Sequence, residues 1–165
     1  MMFTETQHLS RQAIRVVTWI MISVTAFEMV LFGMIAFAER DTTILIPAAF
    51  TLLMLAAITA MMRASTMVVR VDADGVFVKA RFFHRRGRFI PWSDVQRVRL
   101  RPLRAFGEFG GWGIRYGFQN ATGYIYDGDH CLECVLHNRK KVVISVLDIN
   151  ELERALTEQG RITEQ

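Results

Sequence analysis

VVTWIMISVTAFEMVLFGMIAFA, Val16 to Ala38, is a run of 23 residues that carries one charge, Glu28. As a helix rising about 1.5 Å per residue it reaches about 34 Å, enough to cross the hydrocarbon core of a bilayer with some tilt. A second run, ILIPAAFTLLMLAAITAMM from Ile44 to Met62, has 19 residues, no charge and a reach of about 28 Å. Only Glu39 to Thr43 separate the two, so they are expected to form an antiparallel hairpin. A secretory signal is the competing reading of the first run. Its apolar core is too long for one, and no small-residue cleavage site follows before the second run.

The rest of the composition agrees with this division. The 165 residues are 52% hydrophobic and 22% charged, with a net charge of +4 and a mean hydropathy of +0.22. The apolar excess over an ordinary soluble domain is small and sits in the first 62 residues. That excludes a uniformly soluble globule and a disordered chain. Arg11 and Arg15 flank the first run, Arg40 alone lies in the link, and Arg63 and Arg70 follow the second. Counting Lys and Arg near the span ends puts both termini in the cytoplasm. Trp19 stands one turn inside the first run, where an aromatic belt is expected. The two cysteines, Cys131 and Cys134, then face a reducing compartment and are read as thiols.

Glu28 is the most informative residue of the hairpin. A charge at bilayer depth costs about 2.5–3.5 kcal/mol on insertion scales. It reads either as a proton or ion site, as a polar contact between protomers, or as a neutral Glu bonded to Thr25 or to the other helix. No other ionisable residue lies in either run to complete a relay. Ala49, Ala56, Ala57 and Ala60 form a small-residue face that suits close helix packing, and Gly33 and Ala36 could serve the first helix the same way. The methionines of the two runs read as flexible apolar filler rather than metal ligands.

After Met62 the period changes to that of strands. Met67 to Val71 and Val76 to Arg81 flank Asp72-Ala73-Asp74-Gly75, a hairpin turn signature. Arg88 to Ile90, Val95 to Leu103, Trp112 to Phe118, Gly123 to Tyr126, Leu132 to Leu136 and Val142 to Val146 follow, separated by turn residues. Seven or eight short strands at this spacing predict a small antiparallel barrel or sandwich. Asp148-Ile149-Asn150-Glu151 then matches a capping box, and Leu152 and Leu156 give the helix it opens an apolar face. The expected organisation is a cytoplasmic N-terminal segment (1–15), a transmembrane hairpin (16–62) and a cytoplasmic domain (63–165).

Four local motifs resemble a group of small bacterial two-span membrane proteins with a pleckstrin-homology-like (PH-like) domain. They are Glu5-Thr6-Gln7, the strand pair around Asp72-Ala73-Asp74-Gly75-Val76, Ile90-Pro91-Trp92-Ser93-Asp94-Val95, and Phe109-Gly110-Gly111-Trp112-Gly113-Ile114-Arg115-Tyr116. The resemblance covers nearly the whole chain. It implies an α+β membrane protein in which a PH-like barrel with a C-terminal capping helix follows the hairpin, held at the bacterial inner membrane. It implies no reaction, and a fold alone supplies none. Specific phosphoinositide binding is not expected, because the first hairpin turn is acidic where head-group capture needs Arg and Lys.

Basic residues gather elsewhere. Arg81, Arg85, Arg86 and Arg88 surround Phe82, Phe83 and His84. On one strand, Arg97, Arg99 and Arg101 share a face and Val98 and Leu100 take the other. These arginines, with Arg85 and Arg86, are the candidate contacts for anionic head groups or an acidic partner. The plainer reading is a solvated face beside a negative leaflet. Nucleic acid is not an expected partner, since few aromatics interleave with the stripe.

The remaining motifs carry little chemistry. The glycine-rich run Gly107 to Gly113 is followed by a strand and by no Gly-Lys-Ser/Thr, so it reads as a bulged corner with Trp112 packed inward. Arg115 alternates with Ile114 and Tyr116 and could cross-pair with an acid on a neighbouring strand. His130, Cys131, Cys134 and His137 contain half of a zinc-ribbon spacing and no second half. On a strand Cys131 and Cys134 point to opposite faces, and Leu132, Cys134 and Leu136 form a buried stripe. No catalytic motif, metal or cofactor is expected. The sequence reads as a membrane-anchored, non-catalytic binding or scaffold module, with membrane lipids and a homo-oligomer or another membrane protein as partners. The alternative is an oligomeric transport or channel component using Glu28.

Overall fold

The computed structural model describes residues 2–39, 43, 45–81, 86–117 and 120–162. Residues up to Ser10 cluster with those from Ser65 onward, and Arg11–Ala64 form a separate unit. The first unit is therefore discontinuous in sequence. Strand β1 (Phe3–His8) precedes helices α1 (Arg11–Glu39) and α2 (Leu45–Arg63), and the chain then returns as β2 (Thr66–Val71), β1's antiparallel neighbour. The expected N-terminal segment 1–15 is thus divided between a strand and the start of a helix. Hydropathy could not show this, because six residues with two Thr, a Glu and a Gln carry no strong period.

In the helical unit α1 and α2 pack on each other, and little else covers them. The 18-residue apolar window of α1 is 0% buried and that of α2 is 6% buried. Trp19, Phe27, Met34, Phe37, Phe50 and Leu53 are all more than half exposed. The core helix of a soluble protein would have these side chains buried, and leaving them in water forfeits about 1.5–3 kcal/mol each. The half-buried residues Met21, Thr25, Glu28, Phe32 and Ile35 recur at spacings of three and four and mark the α2 side of α1. On α2 the same stripe is Ala48, Thr51, Leu55, Ile58 and Met62. Ala49, Ala56, Ala57, Ala60 and Gly33 are exposed, so the small-residue faces do not make most of this seam. Ser23, Thr51 and Thr59 donate their hydroxyls to the carbonyls of Trp19, Pro47 and Leu55 at 2.9–3.1 Å, which satisfies them within their own helices.

The other unit is α+β. One sheet is antiparallel, in the order β1, β2, β3 (Gly75–Ala80), β4 (Arg88–Pro91). The second runs β5 (Val95–Pro102), β8 (His130–Leu136), β9 (Lys141–Val146), β7 (Ala121–Ile125), β6 (Gly113–Gly117). Helix α3 (Ala105–Phe109) joins β5 to β6, and α4 (Ile149–Glu158) follows β9. Both sheets are open. The expectation of purely antiparallel strands fails at one pair: β7 and β9 are parallel. Spacing reveals the β6–β7 and β8–β9 hairpins and says nothing of which strand of one lies beside the other.

Alternation works as the pleat dictates. Met67, Val69 and Val71 of β2, Val76, Val78 and Ala80 of β3, and Leu132, Cys134, Val142, Ile144 and Val146 of β8 and β9 are buried. Leu152, Ala155 and Leu156 close this core from α4. The cap is as expected, with Asp148 Oδ1 accepting from the Glu151 N–H at 2.9 Å. In the β2–β3 turn Asp72 Oδ1 accepts from the N–H groups of Asp74 and Gly75. Trp92 Nε1 donates to the Asp72 carbonyl at 2.9 Å, so Asp72 and Trp92 lock the turn to the segment after β4.

β1 is held mainly by polar contacts. Gln7 is fully buried. Its Nε2 donates to the Ser145 carbonyl at 2.7 Å, and its Oε1 accepts from Ser145 Oγ at 2.9 Å and from the Asp127 N–H at 3.3 Å. The Glu5 carboxylate accepts from the N–H groups of Leu147 and Asp148 at 3.0–3.1 Å. The Glu5-Thr6-Gln7 motif therefore pins the first strand to the corner between β9 and α4.

Candidate functional site

The outer face of the second sheet carries the densest grouping of charge and apolar surface. Arg97, Arg99 and Arg101 do share one face of β5, beside Val135, Glu133 and Cys131 of β8. A bulge between Val95 and Arg97 sets this register. The three arginines do not act alike. Arg97 and Arg99 are exposed. Arg101 Nε donates to Glu133 Oε2 at 2.9 Å, and its two Nη groups donate to the two Glu108 oxygens at 3.0 and 2.7 Å. Nη1 also reaches the Pro102 carbonyl at 3.1 Å. Four of the five donors of this guanidinium are used, so Arg101 is removed from the expected anion-binding face.

Glu108 comes from α3, inside the glycine-rich run. The run is a short helix and not only a bulged corner. It ends at Gly110, which takes the left-handed conformation at φ 68°. The helix lies over the sheet, and Phe109 rather than Trp112 is its buried residue. Phe109 stands on Gly117 and Gly123: a Cβ at either would come within 2.7 Å of its ring. With Ala121, Ile125, Cys131 and Val143 it forms a second small core, against which Leu103, Ala105 and Trp112 pack. Phe106 meets Trp112 edge to face, centroids 4.6 Å apart. Arg115 finds no such acid; its Nε donates to the Trp112 carbonyl at 2.9 Å. A cleft of about 250 Å³ opens beside the helix, lined by Arg101, Glu108, Glu133 and Lys141 with Phe109 and Val143. A hollow of about 400 Å³ adjoins it, lined by Phe106, Phe109, Tyr116 and Gly117.

Electrostatics follow the contacts. The Arg101 hydrogen bond, opposed by partial burial, holds the Glu108 carboxyl below its ordinary value. A lowered carboxyl stabilises the fold above its unfolded value, near 4.5, and that contribution is lost as pH falls through the folded value. Both side chains are about 30% exposed, so solvent screening limits the pair to about 1 kcal/mol. Glu108→Gln is expected to lower stability by that amount at neutral pH. The gap should close in acid, and thermal melts of both proteins across pH would measure it.

Cys131 lies under this helix and Cys134 in the main core. Burial pushes both thiols up to about 12, so neither is a thiolate at neutral pH. The expected buried stripe through Cys134 is present. On the opposite face Cys131 and Glu133 are buried too, Cys131 against Phe109 of α3, while Val135 is half-buried. His130 is half-buried and His137 exposed. Among the described residues no three His, Cys, Asp or Glu side chains are placed to share a metal ion.

The other candidate residues are scattered. Arg86 is exposed before β4, on the first sheet, and Arg85 lies outside the described residues. Glu28 is half-buried on the α2 side of α1. Of the readings offered for it, a bond to Thr25 or to the other helix is not formed: among the described residues Glu28 has no hydrogen bond or ion pair. A groove of about 430 Å³ runs along the hairpin between Thr18, Met21 and Thr25 of α1 and Leu55, Ala56 and Thr59 of α2. Sequence reasoning missed Glu108 and the buried part of Glu133 as partners of Arg101. The only signal was that Glu133 falls on the arginine side of the alternation. Compared with protein-family models and with curated proteins, the chain matches none.

Proposed function

We propose that this chain is a membrane-anchored binding module. In this reading α1 and α2 cross the bacterial inner membrane as a hairpin. The two sheets and α4 then form a PH-like domain at the cytoplasmic face, which acts through self-association or contact with another membrane protein and not by catalysis. The observation that carries it is the apolar surface of α1 and α2, which the protein itself leaves uncovered. Connectivity supports it. Both ends of the hairpin continue, within two residues, into paired strands, His8 opposite Thr66, so one side of a bilayer would hold the whole sheet unit. Arg11, Arg15 and Arg63 at those ends, against Arg40 in the link, favour the cytoplasm. The four motifs quoted above and a terminal helix closing two sheets support the PH-like reading.

The unpartnered Glu28 carboxyl and the outward alanine face support self-association through the hairpin. A hydrogen bond across transmembrane helices is worth about 0.6–2 kcal/mol, a factor of about 3 to 30 in association. Glu28→Leu is expected to reduce crosslinked oligomer in native membranes by such a factor, with Glu28→Gln retaining part of it. Equal crosslinking in all three proteins would sink the contact. Loss of ion flux in the reconstituted Gln variant would favour the transport reading instead.

A further inference from the structure

The register of the first sheet sorts its charges along the strands. At the end that continues into α1 and α2 lie His8, Thr66, Ala80 and the β4 start, where Arg88 pairs with Val78. Lys79 and Arg86 are exposed there and Arg88 is half-buried. None of these three makes an ion pair or hydrogen bond among the described residues. No acid occurs in residues 6–10, 64–68 or 79–88. At the opposite end are Asp72 and Asp74, and Asp94 joins them because the Trp92 N–H donates to the Asp74 carbonyl. From the other sheet, the Asp127 backbone N–H donates to Gln7 of β1, at the edge away from β4. Phe77 and Phe89, opposite each other on the outer face, flank the basic corner, and Phe89 is 50% exposed.

We infer that the β3–β4 corner of the first sheet, Lys79 and Arg86 with Phe89, is a contact surface for anionic lipid head groups; Arg88, half-buried on the Val78 side of the sheet, borders it. The inference rests on the hairpin being inserted. Two-residue connections between His8 and Arg11 and between Arg63 and Thr66 then limit by chain length how far the His8–Thr66 ends can stand from the leaflet, and each Lys or Arg that comes near it is attracted to negative lipid. The acidic far end is about a strand length away, where the field is screened, and is repelled only if it turns toward the leaflet, so the charge gradient favours one orientation without a specific pocket. Aromatic side chains among the cations suit the interfacial region.

The test uses the full chain in nanodiscs of zwitterionic or anionic lipid, treated with an arginine-selective dicarbonyl and mapped by mass spectrometry. At low salt Arg86 is expected to be modified several-fold more slowly in anionic discs, and high salt should remove the difference. Arg97 and Arg99, on the other sheet, should react equally in both lipids. The Lys79→Glu variant should lose the protection at Arg86. Equal modification in both lipids, or protection at Arg97 and Arg99 instead, would overturn the inference. Alkaline extraction of the same membranes separates the two levels. A chain released by carbonate defeats the anchoring reading, whereas a retained chain with Arg86 unprotected defeats only the head-group contact.

Discussion

Replacing Gln7 by leucine is expected to destabilise the sheet unit by about 2–4 kcal/mol, more than any single exposed charge could. Gln7 is completely buried and engages both the carbonyl and the hydroxyl of Ser145 and the N–H of Asp127. Leucine has nearly the same volume and fills the space. It leaves a carbonyl and an amide without partners where water cannot reach, and each costs about 1–3 kcal/mol. For a unit of this size the melting temperature should fall by about 10 °C or more. Amide exchange should rise first along β1 and its partners on β2. A shift below about 1 kcal/mol would show that water or the Ser145 hydroxyl replaces the lost contacts.

Phe109→Ala is the second large effect. Phenylalanine-to-alanine changes in full cores cost about 3–5 kcal/mol. The second core is small and opens on a cleft, which places this one near the lower end, about 3 kcal/mol. The change has a chemical readout besides stability. The ring covers the side of β8 that carries Cys131, and the flat floor of Gly117 and Gly123 offers nothing to take its place. Cys131 should therefore become reactive toward thiol reagents in Phe109→Ala. Cys134, in the main core, should remain protected. Labelling of both cysteines would indicate global unfolding, and labelling of neither would mean that the outer face closes over the gap. The complementary change, Gly123→Ala, pushes a methyl into the same ring and should cost about 1–3 kcal/mol by overpacking.

Local patterns carried much of the fold. The strands Met67 to Val71 and Val76 to Arg81 were legible around their Asp-Gly turn, and an Asp cap opened α4, because each depends only on neighbours within a few residues. What was not legible depended on contacts far apart in sequence. β1 looked like a tail because Thr4, Glu5, Thr6 and Gln7 are polar. They form a strand because Ser145, Leu147 and Asp148 supply partners for them about 140 residues away. Arg101 looked like its two neighbours at period two, and only the folding of α3 over the sheet brings Glu108 to it. The same helix explains why Cys131, on the outer face of β8, is as buried as Cys134 on the inner one, against the pattern that alternation predicts for a sheet with one wet face.

By itself the sequence determined two apolar helices long enough to cross a bilayer, a strand-rich remainder and a capped terminal helix. These follow from hydropathy, length and short-range periodicity. Only the tertiary structure decided that the hairpin is inserted between two paired strands and that β7 and β9 run parallel. It also decided that one of three arginines is held by two acids, and that the basic and acidic residues of the first sheet lie at opposite ends. The physical reason is that a side chain's face is set by its own backbone, whereas its partner is set by the register of strands that the chain reaches only after long excursions.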